Sequence, residues 1–158
     1  MADYALALSD EEVARYLAMA SRARREEAQT WAAAGILPGA RVADVGCGPG
    51  ATLLAMAEVV GPTGLVVGVD ADPGAVATAL QLIAASGLEH ASAVLGSADA
   101  TDLTPGGFDV VVLRHVLAHN GGREQAIVRH LAEAGAPGGV RLPGRRQDDG
   151  DADARRVL

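Results

Sequence analysis

One stretch constrains this chain more than any other. A short apolar run, Arg41-Val42-Ala43-Asp44-Val45, passes directly into Gly46-Cys47-Gly48-Pro49-Gly50 and then into helix-forming residues from Ala51 to Val60. A β-branched run that meets three glycines and a proline reads as a strand stopped by a tight turn. Glycine adopts positive φ without steric penalty, so the turn can be compact. Strand, glycine turn and helix in that order open a β-α-β unit, which commits a chain to a parallel sheet covered by helices.

The rest of the sequence repeats the alternation. Leu65 to Val69 is a second apolar run, closed by Asp70. Asp72 followed by Pro73 is a strong helix start, with Val76, Leu80 and Ile83 as the expected inner face and Gly87 as the stop. Ala91 to Leu95 reads as a third strand and Phe108 to Leu113 as a fourth. A last helix is expected from about Arg123 to Ala134, with Ile127, Val128 and Leu131 inward. Upstream, Ser9 and Glu12 have the spacing of a capping box. They predict a helix to about Ala34, ended by Gly35, with Val13, Leu17, Ala20 and Trp31 buried. Apolar residues make up 49% of the chain but aromatics only 3%, which suits helices packed closely on a parallel sheet through small and branched side chains.

Charge and cysteine content exclude some classes of partner. A net charge of −7 disfavours nucleic acid and anionic membrane surfaces. The single cysteine, Cys47, excludes an intrachain disulfide and fits a reducing compartment. The first residues carry no basic leader, and no apolar run has the length of a membrane span. A soluble, cytoplasmic protein is expected. No metal site is expected.

Parallel sheets of this kind bind ligands beyond the carboxyl ends of their strands, so the loops after Val45, Val69, Leu95 and Leu113 are the places to search. In the first, Gly46, Gly48 and Ala51 satisfy the spacing G-x-G-x-x-A of dinucleotide-binding turns, which opens a reading as an NAD(P)-dependent oxidoreductase. Two residues argue against a pyrophosphate there. Asp44 brings a carboxylate to the turn, favouring a ligand with positive charge, and Pro49 lacks an N–H to offer an anion. Asp70 stands about 20 residues beyond the turn, where a carboxylate accepts hydrogen bonds from ribose hydroxyls. In the third loop, Gly96-Ser97-Ala98-Asp99-Ala100, Asp99 is placed to accept from an exocyclic adenine amine and Ala100 to offer its N–H to a ring nitrogen. The fourth loop holds Arg114, His115, His119 and Asn120. Either histidine is a candidate general base, against the plainer reading of structural histidines and Asn120 as a helix cap. Cys47 has no base partner in the sequence and reads as a small packed side chain.

These motifs together resemble class I S-adenosylmethionine-dependent methyltransferases. Val42 to Gly50 is similar to their motif I, Val69-Asp70 to their acidic ribose position, Ser97 to Ala100 to their adenine position and Phe108 to Val111 to their fourth strand. Pro137-Gly138-Gly139 resembles the turn that leads into their fifth strand. The resemblance implies a three-layer, Rossmann-like α/β fold: a parallel sheet of strand order 3-2-1-4 with helices on both faces. It implies S-adenosylmethionine as cofactor and methyl transfer to a small-molecule acceptor. Asp44, Gly46, Cys47, Gly48 and Gly50 would surround the methionine part, Asp70 the ribose, and Asp99 with Ala100 the adenine. Ala71 and Arg114 complete the expected cofactor-binding set. Tyr16 or Trp31 of the leading helix is a further candidate for closing over the cofactor.

After Val140 the family pattern stops. Residues 141–158 are rich in Arg, Asp and Gly without apolar periodicity and are expected to form a disordered tail. The expected layout is a helical segment over 1–34, a cofactor-binding domain over 35–140 and the tail. The usual strands five to seven are absent from the sequence read this way, as a truncation or frameshift near codon 140 would leave it. A domain without them is open to a second functional reading, a cofactor-binding module without catalytic activity. It would also expose the fourth strand as an apolar edge, which invites pairing between chains. Self-association is therefore expected; light scattering should report oligomers, and a monodisperse monomer would refute it.

Overall fold

The computed structural model describes residues 7–113 and 122–137. Local chemistry sets most element ends. The Ser9 hydroxyl accepts the Glu12 N–H at 3.2 Å while the Glu12 carboxylate accepts the Ser9 N–H at 2.9 Å, so the capping box opens helix α1, Asp10–Ala34. Gly35, at φ 97°, closes it. Strand β1 is Arg41–Val45, helix α2 Ala51–Val60 and strand β2 Leu65–Asp70. The Asp72 carboxylate accepts the Gly74 N–H at 3.0 Å and starts helix α3, Pro73–Ser86. Strand β3 is Ala91–Leu95, strand β4 Val110–Leu113 and helix α4 Glu124–Ala134.

The four strands form one parallel sheet in the order β3-β2-β1-β4, as expected. Val45 lies opposite Val69 on one side and Leu113 on the other, and Asp44 lies between Gly68 and Val112. Alternation along each strand divides the core in two. Val42, Val66, Ala91, Ala93, Val110 and Val112 pack with α2 and α3, and α1 joins this layer through Ala20, Trp31 and Ala34. Ala43, Val45, Val111 and Leu113 pack with Ile127, Leu131 and Ala134 of α4 on the opposite face. The result is three layers with β1 at the centre, the arrangement of Rossmann-like folds. Among the described residues β4 is the last strand on its side.

Several expected details differ. Leu17 and Leu80 are 40% and 45% exposed. Helix α3 buries the expected Val76 and Ile83, with Ala79 and Leu82 in place of Leu80. Leu80, Leu82 and Ile83 are all apolar, so helical periodicity fits two rotations of α3 equally well, and packing chooses between them. Strand β4 begins at Val110 rather than Phe108. The two residues before it are held otherwise: the Asp109 carboxylate accepts the Arg41 N–H at 2.8 Å, and Phe108 bridges to Gly135, accepting the Ala136 N–H at 2.7 Å. Helix α4 begins at Glu124, with Arg123 as its N-cap residue.

Gly68 shows how tightly the first layer fits. A Cβ there would lie 2.3 Å from Leu53 Cδ1 and 2.7 Å from Cys47 Sγ. The missing side chain is what lets α2 and the glycine turn settle on β2. Gly68→Ala should therefore destabilise the fold by roughly 1–3 kcal/mol through overpacking, read as a lower denaturant midpoint with unchanged slope. A neutral result would show that the contact relaxes freely.

Candidate functional site

The loops after β1, β2 and β3 meet at the carboxyl edge of the sheet. The first is fastened by its own backbone. Gly46 and Cys47 both donate their N–H groups to the Val69 carbonyl, at 2.7 and 3.1 Å. Gly48 donates to Asp70 Oδ2 at 2.8 Å, and Gly50 donates to the Cys47 carbonyl at 3.1 Å. Gly46, Gly48 and Gly50 all have positive φ. Pro49 has no N–H. Every residue from 46 to 50 has therefore either committed its N–H within the protein or has none. An anion-binding turn needs such groups pointed outward; here the turn's own donors are spent, and what the edge keeps for an anion is the uncapped start of α2.

Asp70 stands at the end of β2, as expected. Its second oxygen, Oδ1, accepts the Asp72 N–H at 2.9 Å. A carboxylate oxygen has two lone pairs, so each oxygen keeps one for a hydroxyl donor while the two backbone bonds fix its direction. Gly48 leaves open space on its own side, since a Cβ there would meet no atom within 4 Å. Gly50 is the opposite case: a Cβ would lie 2.9 Å from Ala79 Cβ, so the start of α2 sits hard against α3.

Asp44 is 1% exposed, below the turn. Cys47 is buried too, and burial pushes its thiol up to about 12, helped by the negative charges of Asp44 and Asp70. Its Sγ donates to the Gly48 carbonyl at 3.6 Å. A thiol held neutral is not a nucleophile at ordinary pH, which agrees with its reading as a packed side chain.

The third loop is more heavily bonded than the sequence suggested. The Ser97 hydroxyl donates to Asp99 Oδ1 at 2.8 Å, and the Arg123 guanidinium pairs with Asp99 Oδ2. The Ala100 N–H donates to the Ser97 carbonyl at 2.9 Å, so the donor expected there for a ring nitrogen is taken up inside the turn. Thr101 is buried, and both its N–H and its hydroxyl meet His130 Nε2, at 3.0 and 2.9 Å. Arg123, Thr101 and His130 were not among the expected residues. No local signal marks them, because their partners lie 24 and 29 residues away.

Trp31 is 3% exposed inside the helical layer and has no surface to offer a ligand. Tyr16 packs against the same core cluster, with the Arg15 guanidinium 5.0 Å from its ring. Ala71 follows Asp70 and is exposed. Arg114, His115, His119 and Asn120 lie outside the described residues, as do Gly138, Gly139, Val140 and the segment 141–158.

Fold and loops together define an α/β cofactor-binding domain of the Rossmann-like type. The chain belongs to the methyltransferase-domain family, whose model matches residues 42–139. S-adenosylmethionine is the cofactor of this class of methyltransferase. The chain is 48% identical over 75 residues to nocamycin O-methyltransferase of Saccharothrix syringae, a match that covers 47% of this chain and 26% of that protein. It is 38% identical over 74 residues to aklanonic acid methyltransferase DauC of Streptomyces sp. (strain C5), covering 47% and 34%. These matches span about a quarter to a third of the curated relatives' length. Among solved structures, an S-adenosylmethionine-dependent methyltransferase from Aquifex aeolicus shares the fold, with a TM-score of 0.66 and 20% identity over 79% of this chain and 68% of that one.

The environment of Cys47 has a measurable consequence. A group whose folded pKa is raised binds its proton more tightly in the folded state, so its contribution is present below the unfolded value and declines as pH rises through the folded one. Between pH 9.0 and about 12, the folded chain should lose stability as pH rises. Cys47→Ala should lack that part of the loss. Equal pH slopes for the two proteins in chemical denaturation would show that the thiol is not so perturbed.

Proposed function

We propose that this chain holds S-adenosylmethionine across the loops after β1, β2 and β3 and serves methyl transfer to an oxygen of a small-molecule acceptor. The observation that carries the reading is the glycine turn itself. Its N–H groups are committed internally, while two carboxylates, Asp44 and Asp70, flank it at the ends of β1 and β2. A turn that spends its own N–H donors and is flanked by negative charge suits a ligand bearing an ammonium and a sulfonium. It does not suit a pyrophosphate.

The roles follow from position. Asp44 and the turn from Gly46 to Gly50, Cys47 and Gly48 included, take the methionine end, with open space beside Gly48. Asp70 takes the ribose hydroxyls on its remaining lone pairs, with Ala71 beside it. Asp99 takes the exocyclic amine of adenine, and Ala100 shapes the turn beneath it. Arg114 and the candidate bases His115 and His119 follow β4 in the sequence.

When bound, S-adenosylmethionine supplies a methyl group already attached to a sulfonium leaving group. The protein's own share is alignment of the two reactants, plus a base where the acceptor must lose a proton. The oxygen acceptor is supported by the name of the Saccharothrix relative, an O-methyltransferase. The net charge of −7 supports a small molecule over nucleic acid.

Calorimetric titration with S-adenosylhomocysteine tests the reading, with NAD as the control ligand. The chain should bind the first and not the second. Asp70→Ala should weaken binding by roughly tenfold or more for each hydroxyl bond lost, since bonds to a charged group contribute about 1.5–3 kcal/mol. Equal affinity in Asp70→Ala, or binding of NAD alone, would overturn the assignment.

A further inference from the structure

We infer that Arg123, through its pairing with Asp99, is the positioning residue that sets this site's selectivity for the amine-bearing face of adenine. The inference rests on the cofactor reading above and adds to it a residue from the far layer of the fold.

Both oxygens of Asp99 are held by protein donors. Ser97 Oγ donates to Oδ1, and the Arg123 guanidinium pairs with Oδ2. The Asp99 side chain is 27% exposed and that of Arg123 55%, so the pair sits at the mouth of the site rather than in the core. A carboxylate gripped at both oxygens cannot turn about its last bond. The guanidinium at one oxygen makes a charge-assisted pair with it. Such a carboxylate offers acceptor lone pairs in fixed directions and has no proton to donate. An amine donor matches it and a carbonyl oxygen is repelled by it.

The loop that carries Asp99 is fixed by the same helix at a second point. His130 lies seven residues, about two turns, after Arg123 on α4 and receives the Thr101 N–H on Nε2 at 3.0 Å. An accepting Nε2 places the proton of the neutral ring on Nδ1. Asp102, next in the chain, has φ 54°, a left-handed conformation that a non-glycine residue holds when its surroundings determine it. Helix α4 packs on the face of the sheet opposite α2 and α3. The adenine loop is therefore oriented by one layer, and the ribose carboxylate Asp70 by the backbone of the glycine turn and of the loop after β2.

That separation makes the role testable. Arg123 makes no side-chain capping bond to α4, so Arg123→Ala removes none and should fold. Affinities for S-adenosylhomocysteine and S-inosylhomocysteine, which carries a carbonyl in place of the amine, would be measured by calorimetry for the wild type, Arg123→Ala, Arg123→Lys and Asp70→Ala. The wild type should prefer the amine. Arg123→Ala should shrink that preference by about tenfold, Arg123→Lys should restore part of it, and Asp70→Ala should weaken both ligands while leaving their ratio intact. An unchanged ratio in Arg123→Ala, with or without a uniform loss of affinity, would overturn the role of Arg123 and leave the cofactor reading standing. Failure of the wild type to bind either ligand would overturn both.

Discussion

Two N–H groups converge on one carbonyl, that of Val69, and the next N–H along the turn reaches the carboxylate that follows it, Asp70. This joint ties the end of β1 to the end of β2, and much of the site depends on it. It uses up the donors of the glycine turn, and it directs the Asp70 carboxylate. It also requires the turn to lie flat against β2, which is possible because Gly68 has no side chain to separate Cys47 and Leu53 from the strand. The contact of Gly50 with Ala79 then sets how closely α2 approaches α3. Close backbone approach, more than any individual side-chain bond, shapes this edge of the sheet.

The same geometry determines the sign of the site. Glycine turns between a strand and a helix commonly serve anions, because unpaired N–H groups and the helix dipole both attract negative charge. Here the N–H groups of Gly46, Cys47, Gly48 and Gly50 are committed within the protein, and carboxylates stand near the ends of two adjacent strands. Their charges reach Cys47, where they add to burial in holding the thiol neutral.

On the opposite face, the pairing of Arg123 with Asp99 contributes order more than stability. An ion pair as exposed as Arg123 with Asp99 stabilises a fold by about 0–1 kcal/mol at most. Its value lies in direction: together with the bond from buried Thr101 to His130 it holds a polar loop, otherwise tied mainly by its own turn, in one arrangement. The two halves of this edge are thus built on different principles, a backbone joint beneath Asp70 and side-chain ties from a distant helix at Asp99.

The chain's own residues were enough to reveal whatever is local. Ser9 with Glu12, Asp72 before Pro73, and the glycines at 35 and 87 each settle a helix end within four residues of themselves, because capping is short-range chemistry. The alternation of strands and helices led to a parallel sheet, and the resemblance of its motifs led to the strand order. The positions of Asp44 and Asp70 near the ends of β1 and β2, and of Asp99 in the loop after β3, were legible because the apolar runs mark where each strand stops. Tertiary structure alone decided the rest. Leu80 and Leu82 satisfy the same periodicity, and only packing against the sheet buries one and exposes the other. The N–H of Ala100 looked available because hydrogen-bond commitment depends on a turn that its residue types do not specify. Arg123 and His130 read as ordinary helix residues until the fold carried α4 across to the loop after β3, since a contact between residues 24 or 29 apart leaves no periodic trace in the sequence.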